Sequence, residues 1–192
     1  MLDIENIENK MSKSIKLHLG CGNTILPDWT NIDIIERQGV NIVDDITKLT
    51  KIPDLSCSII YACHVLEHVS RHNIEQTLSL WHKKLKKNGT IRLSVPDFDK
   101  VVEIYLKNKN ITEITGFVNG GQKNFYDSHL MIFNRQILEK LLIKAGFDKI
   151  RNWDWREVSH GKYDDYSQAY LPHMDKENGT LMSLNIEATK SN

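Results

Sequence analysis

The sequence predicts an α/β domain with an open, mostly parallel sheet covered by helices on both faces. Short apolar runs with strand character alternate along the chain with segments of helical period, which is typical of this architecture. A turn with two glycines follows the first run, and ligands in such folds bind beside the carboxyl ends of the strands. The chain has 192 residues, and a single domain of that size buries roughly 70% of its unfolded surface, so it can fold without disulfides or a structural metal ion.

Seven segments have strand character, and the first four end in a polar or small residue. The fourth is apolar enough to lie centrally in a parallel sheet. The predicted strands are 15–20, 30–35, 40–46, 57–62, 90–95, 149–155 and 181–190.

Three helices are predicted between these strands. The first carries an apolar stripe from Ile74 to Leu85 and is stopped by Asn88-Gly89. The second is short, over 97–107, and the third begins after an Asn134 N-cap and ends at Gly146. Residues 108–130, rich in Gly, Asn and Asp, are predicted to form a loop.

Composition limits the classes of partner and compartment. Lys plus Arg and Asp plus Glu both number 25, so no global field favours nucleic acid or an anionic membrane. The three cysteines are odd in number and form no Cys-x-x-Cys pair, which indicates a reducing, cytoplasmic setting. Residues 1–14 lack the long apolar run of a signal peptide or membrane span and are interpreted as a polar N-terminal leader.

The stretch ACHVLEHVSRH, residues 62–72, contains the inverted zinc-peptidase motif His-x-x-Glu-His. A peptidase needs both histidines inside a continuous helix, a third ligand and an open metal position. Here a strand is predicted to run to Ala62, which places His64 at a strand-to-helix bend. The sequence therefore predicts no metal site.

The turn LHLGCGN, residues 17–23, places Gly20 and Gly22 where the first strand ends. Glycine there allows backbone to approach a ligand closely, and a plain tight turn is the alternative. A dinucleotide-binding turn would have a third glycine and an acid about 20 residues on. Thr24 stands in place of that glycine and Asp33 comes early, so a nicotinamide oxidoreductase is disfavoured.

An ordered set of motifs carries a family resemblance. They are LHLGCGNTILPDWTNIDI, IVDDITKL, SIIYACHVLEHV, LKKNGTIRLSVPDF, GGQKNFYDSHLMIFNRQILEKLLIKAGF and a terminal SLNIEATK. Together they resemble the class I S-adenosylmethionine-dependent methyltransferases, and more narrowly a small bacterial type-11-like subgroup associated with surface-polysaccharide biosynthesis.

The resemblance implies a three-layer Rossmann-like fold in a single domain over 15–192. Its sheet has seven strands, mostly parallel, with the last antiparallel. Only residues 24–29 separate the glycine turn from the second strand, so the first crossover helix is expected to be truncated.

The resemblance also implies which residues hold S-adenosylmethionine and its product S-adenosylhomocysteine. Asp33 would accept from the ribose hydroxyls, Asp45 would face the adenine amino group and His64 would lie near the sulfonium. Each has a simpler alternative: a solvated strand end, a plain turn and a helix cap, respectively. His18 replaces an acid common in the family. The expected cofactor residues are Gly20, Cys21, Gly22, Asn23, Asp33, Ile34, Asp45, Ile46, Cys63 and His64.

Methyl transfer to an alcohol or amine also requires removal of a proton, for which histidine is suited. The candidates are His129, oriented by Asp127, and His64. His129 ends the 108–130 segment, which is either a lid hinged at Gly120-Gly121 or a surface insertion. The aromatic-rich stretch 156–179 suits a polar ring such as a sugar, and ordinary packing is its alternative.

We therefore expect an enzyme that methylates a small polar acceptor, such as a sugar or sugar nucleotide in surface-glycan biosynthesis. The alternative is a non-catalytic S-adenosylmethionine-binding partner or sensor. A small-molecule substrate is expected, without nucleic-acid binding or membrane insertion, in a monomer or homodimer.

Overall fold

The computed structural model describes residues 14–191, so the predicted leader lies almost wholly outside the described residues. The described residues form nine strands, which are, in chain order, β1 (Ile15–Leu19), β2 (Thr30–Asp33), β3 (Ile42–Val43), β4 (Cys57–Cys63), β5 (Leu85–Pro96), β6 (Asp148–Asn152), β7 (Tyr170–Leu171), β8 (Thr180–Leu181) and β9 (Ser183–Thr189). Seven of them form one sheet in the order β3-β2-β1-β4-β5-β9-β6, and β7 and β8 form a separate two-stranded ribbon.

The strand directions confirm the predicted fold class. In the large sheet β9 is antiparallel to both of its neighbours, β5 and β6, and the other described pairings are parallel. The predicted truncation is also confirmed, since residues 20–29 connect β1 to β2 through turns and contain no helix.

The register of the central strands aligns their carboxyl ends. Leu19, the last residue of β1, pairs with Ile32 of β2 and with Ala62 of β4. Because parallel strands end at a common edge, Gly20 lies there between Asp33 of β2 and Cys63 of β4.

The described residues form four α-helices: α1 (Ile74–Lys84), α2 (Phe98–Asn108), α3 (Ile111–Asn119) and α4 (Arg135–Lys144). The predicted N-cap of α4 is confirmed, because the Asn134 side chain accepts a hydrogen bond from the Ile137 amide. The apolar stripe of α1 is also confirmed as far as Trp81, which is completely buried. The predicted stop at Asn88-Gly89 is wrong, because the helix ends at Lys84 and Leu85 already begins β5. None of the helices in the described region has the length and apolar character needed to cross a bilayer.

The prediction that 108–130 is wholly a loop is wrong, because α3 occupies its first half. The Asn110 side chain caps this helix, and Ile114 packs with Val101 and Ile104 of α2. Thr, Gly and Asn give the segment weak intrinsic helix propensity, so packing against α2 is what stabilises it.

Candidate active site

Two cavities open at the carboxyl edge of β1, β2 and β4, and both are lined by Gly20, Gly22, Asn23 and His64. The first cavity, of about 510 Å³, extends past the ends of β2 and β3 and is covered by residues 123–127. The second cavity, of about 620 Å³, extends under residues 164–174. The glycine turn and His64 are thus the wall common to two ligand-sized spaces.

The two glycines of the turn serve different needs. Both have positive φ, +59° at Gly20 and +54° at Gly22, which favours glycine. A Cβ on Gly20 would lie 2.4 Å from Cγ2 of Val65, so this glycine lets the turn pack against the segment after β4. A Cβ on Gly22 would have no heavy atom within 4 Å, so the backbone there faces open cavity.

Asp33 lies at the end of β2 with its carboxylate on the wall of the first cavity. Oδ2 accepts from the Gly22 amide at 2.8 Å, and Oδ1 accepts from the Ile35 amide at 2.9 Å and from Arg37 Nη1 at 2.8 Å. A carboxylate has about four acceptor positions. Asp33 therefore organises the glycine turn and keeps little free acceptor capacity while Arg37 is in place.

Asp45 also lines the first cavity, but it caps its own turn. Its Oδ1 accepts from the Thr47 amide at 2.9 Å and from the Thr47 hydroxyl at 2.7 Å, and Lys48 lies 3.0 Å from Oδ2. Burial acts to raise the pKa of Asp45, but the bonds from Thr47 and Lys48 outweigh it, and the net shift is downward. The neighbouring Ile46 is fixed by its carbonyl, which accepts from Nε1 of Trp81 at 2.9 Å.

The expected cofactor residues all line the first cavity except Cys21 and Cys63, which line the second. Burial, followed by the nearby Asp33 carboxylate, raises the pKa of Cys21 to about 11. Burial and Asp165 also raise the pKa of Cys63 well above its ordinary value. Both thiols therefore stay protonated at neutral pH. The expected role of Cys21 and Cys63 in cofactor binding stays a prediction.

His64 occupies the predicted bend after β4, with a positive φ of +50°. Its amide donates to the Ser94 carbonyl at 2.8 Å, its Nε2 lies 2.8 Å from Ser183 Oγ, and its Nδ1 lies 3.4 Å from Glu67 Oε1. Burial, reinforced by His129 and His68, lowers the pKa of His64 to about 3. Both ring nitrogens face protein groups and the ring is a weak base, so this geometry favours a structural role at the bend.

His129 lies away from the acceptor position that we expected. Its side chain is only 7% exposed, and it lines neither cavity. Nδ1 lies 3.0 Å from the Phe117 carbonyl, whereas Asp127 Oδ2 accepts from the Lys123 amide. The predicted orienting contact from Asp127 to His129 is therefore wrong.

The Gly120-Gly121 pair is packed tightly rather than open. A Cβ on Gly120 would lie 2.2 Å from the Asp127 carbonyl oxygen, and one on Gly121 would lie 2.5 Å from Asp127 Oδ2. These glycines permit the chain to fold back on itself. The segment that they shape covers the first cavity with residues 123–127, whereas Phe117 reaches the second.

Glu67 is the most unusual polar group near the site. It is 1% exposed, and neither carboxylate oxygen has a hydrogen-bond partner among the described residues. Burial raises the pKa of Glu67 to about 8. One potential ligating atom each from Glu67, His68 and His129 lie within 4.8 Å of one another.

The second cavity is lined by side chains from the stretch 156–179, none of which was singled out from the sequence alone. Asp165, Tyr166, Tyr170 and His173 all line it. Asp165 is held by the Tyr61 hydroxyl, which donates to Oδ2 at 2.6 Å. The density of aromatic and polar residues was the available signal, but the sequence did not show which of them face a cavity.

His18 stands where the resemblance expected an acid, and it lines the second cavity rather than the first. It is 2% exposed and stacks on Tyr61, and its Nδ1 lies 3.1 Å from Asn31 Oδ1. Burial lowers the pKa of His18. It is therefore a neutral group in the floor of that cavity.

No protein-family model and no curated protein sequence matches the chain. Solved structures do match it over nearly its whole length. An S-adenosylmethionine-dependent methyltransferase from Archaeoglobus fulgidus aligns with a TM-score of 0.58 at 16% identity, covering 97% of this chain and 90% of that one.

Two further structures extend the likeness. A possible histamine N-methyltransferase from Thermotoga maritima aligns with a TM-score of 0.56 at 16% identity, covering 97% of this chain and 86% of that one. The 1,6-didemethyltoxoflavin-N1-methyltransferase of Burkholderia thailandensis, solved with bound 1,6-didemethyltoxoflavin and S-adenosylhomocysteine, aligns with a TM-score of 0.56 at 13% identity, covering 98% of this chain and 76% of that one. The chain thus has the fold of the class I S-adenosylmethionine-dependent methyltransferases.

Proposed function

We propose that the protein is an S-adenosylmethionine-dependent methyltransferase with its cofactor in the first cavity and its acceptor in the second. The observation that carries the proposal is the shared wall of the two cavities at Gly20, Gly22 and His64. Transfer between two bound molecules needs their reacting atoms in near-attack contact, and adjoining cavities provide that. Bound S-adenosylmethionine supplies an electrophilic methyl group.

The first cavity fits the cofactor in size and in chemistry. Its volume of about 510 Å³ is ordinary for a small-molecule site. The open space at Gly22 admits a ligand against the backbone, and Asp33 is a buried carboxylate of the kind that accepts from a ribose diol. The Arg37 side chain is 33% exposed and can swing away, so we propose that ribose hydroxyls replace its bond to Oδ1.

In this arrangement Asp45 and Ile46 border the adenine, with Ile46 packing on the ring and Asp45 near its amino group. Thr47 donates to the Asp45 carboxylate and Trp81 donates to the Ile46 carbonyl, which keeps this wall fixed before a ligand arrives. Residues 123–127 cover the opening, and Phe125 there is 89% exposed. Such an exposed aromatic side chain has apolar surface available to a ligand.

We propose that the acceptor is a small polar molecule of the sugar or sugar-nucleotide class, as surface-glycan biosynthesis would supply. Tyr166 and Tyr170 provide aromatic faces in the second cavity, and Asp164 and Gln168 provide polar groups beside them. Aromatic rings combined with hydrogen-bonding side chains suit a polar ring. The exposed His173 replaces His129 as the candidate to take the acceptor's proton, because it lines this cavity.

A screen of sugar nucleotides and glycan precursors, scored by S-adenosylhomocysteine release, tests the proposal. Tyr166→Ala should raise the KM for a productive acceptor and leave the dissociation constant of S-adenosylhomocysteine within about twofold, because Tyr166 lines only the second cavity. Cofactor binding without turnover of any acceptor class would favour the non-catalytic sensor or partner instead.

The role of His173 has a separate test. If it removes the acceptor's proton, His173→Ala should reduce kcat by about 10²- to 10⁴-fold at unchanged cofactor affinity. Unchanged kcat would leave proton removal to solvent or to another group.

A further inference from the structure

Beside the shared wall, the buried Glu67 lies next to the half-buried His68 and His129 and has no hydrogen-bond donor within residues 14–191. Glu67 Oε1 lies 3.4 Å from Nδ1 of His64 and 3.9 Å from Nε2 of His129, and neither of its oxygens receives a hydrogen bond from any described residue. His68 contributes a further imidazole, with its ring 4.8 Å from that of His129 in an edge-on arrangement. A buried carboxylate without partners is costly, so something must compensate it.

The hydrogen bonds on the far side of each ring fix where its lone pair lies. Nδ1 of His68 lies 3.0 Å from the Ser128 carbonyl, and Nδ1 of His129 lies 3.0 Å from the Phe117 carbonyl. A carbonyl can only accept, so each Nδ1 carries the proton and each Nε2 is left with a lone pair. Metal-binding histidines are held in this manner, with the non-ligating nitrogen donating to a backbone carbonyl.

In His64 the hydrogen bonds place the proton on Nε2 rather than on Nδ1. The Ser183 hydroxyl donates to the Tyr166 carbonyl, so Ser183 Oγ accepts from Nε2–H of His64. Nδ1 of His64 is then unprotonated on the side that faces Glu67. A single proton on Glu67 can satisfy only one of these neighbouring acceptors, whereas a cation can satisfy several together.

We propose that Glu67, His68 and His129 bind a divalent first-row transition-metal ion. Their ligating atoms lie within 4.8 Å of one another, and zinc ligands at about 2.0–2.1 Å from the metal are about 3.3 Å apart, so closure needs only small side-chain movement. Two imidazoles and one carboxylate are a known donor set for zinc and for non-haem iron. The proposal does not rest on the proposed methyl transfer, and one of its ligands, His68, also lines the first cavity.

Such an ion would join two segments that are distant in sequence. Glu67 and His68 belong to the bend after β4, which packs under Gly20 through Val65, and His129 ends the segment that covers the first cavity. The Glu67 carbonyl already accepts from the Leu130 and Met131 amides at 2.8 and 3.1 Å, so the backbones are held together before an ion binds. The ion would then fix this cover against the glycine turn.

Zinc titration of the full, tag-free chain after chelator treatment, with a chromophoric competitor, tests the site. Wild type should bind about 1 equivalent per chain. Glu67→Gln and His129→Gln should each weaken binding by at least about tenfold. His72→Gln is the matched control, because the exposed His72 follows His68 by four residues, as His68 follows His64, but lies outside the cluster. This variant should bind zinc as wild type does.

No saturable binding by wild type, or equal binding by Glu67→Gln, would overturn the proposal. X-ray absorption of the zinc-loaded wild type needs no substitution. A shell of nitrogen and oxygen at about 2.0–2.1 Å with scattering from two imidazoles supports the site. A shell containing sulfur at about 2.3 Å would place the zinc at the cysteines and contradict it.

Discussion

Removing the Asp33 carboxylate should weaken binding of S-adenosylhomocysteine strongly. Asp33 is 7% exposed on the wall of the first cavity and is the proposed acceptor for the ribose hydroxyls. A hydrogen bond to a charged group contributes about 1.5–3 kcal/mol, so losing one such bond in Asp33→Ala raises the dissociation constant about 10- to 150-fold. Titration calorimetry measures this change.

The same substitution should also destabilise the protein without ligand. It leaves the Gly22 and Ile35 amides without their acceptor, at a cost of about 1–3 kcal/mol for each amide that water cannot reach. Asp33→Asn retains one acceptor oxygen and should lose less stability, yet a neutral amide cannot accept from two ribose hydroxyls as a carboxylate does. Denaturant unfolding of the unliganded variants separates the effect on stability from the effect on binding.

Asp54→Ala is the control, because the Asp54 carboxylate is also ion-paired, with Lys83 and Lys84 at 2.9 Å, but lines neither cavity. It should bind S-adenosylhomocysteine as wild type does. Equal binding by wild type and the folded Asp33 variants, or equal losses in Asp33→Ala and Asp54→Ala, would refute the assignment of the ribose site.

Two further predictions concern stability. Gly20→Ala should cost about 2–5 kcal/mol, because positive φ adds to the clash with Val65, whereas Gly22→Ala carries only the backbone strain of about 1–2 kcal/mol; denaturant unfolding compares them, and equal losses would contradict the packing argument. Burial and Arg92, which donates to Nε2 at 3.0 Å, lower the pKa of His160 to about 3, so folding excludes a proton that the unfolded chain binds below its pKa of about 6.5. The stabilisation from neutral His160 is therefore complete above about pH 6.5 and decreases as the pH is lowered, by about 2 kcal/mol between pH 7 and pH 5. Over this range the free energy of unfolding of His160→Gln should decrease by about 2 kcal/mol less than that of wild type. Equal decreases in the two proteins would refute this role of His160.

Local patterns predicted the scaffold of the site because they depend on neighbouring residues. The end of β1, the two glycines and the acid that ends β2 lie within one short stretch of chain, and the strand register brings them to a common edge. Asn134 and the apolar stripe of α1 were likewise local signals. These features follow from periodicity and capping, which short segments encode.

Features that depend on contacts between distant segments were not predictable. Helix α3 forms because Ile114 packs on α2, against the weak propensity of its own residues. His129 meets Glu67 because the backbone at Leu130 bonds the Glu67 carbonyl, and no pattern near either residue indicates this. The His-x-x-Glu-His motif did mark a cluster of potential ligands, with His129 rather than His64 among the three residues that converge.

The central claim is methyl transfer between the two cavities, and mass spectrometry with deuterium-labelled methyl groups on S-adenosylmethionine tests it most directly. Incubation with sugar nucleotides should produce S-adenosylhomocysteine and an acceptor carrying the intact labelled methyl group, in equal amounts. Intact S-adenosylmethionine with every acceptor, or S-adenosylhomocysteine formed without a labelled acceptor, would contradict the claim.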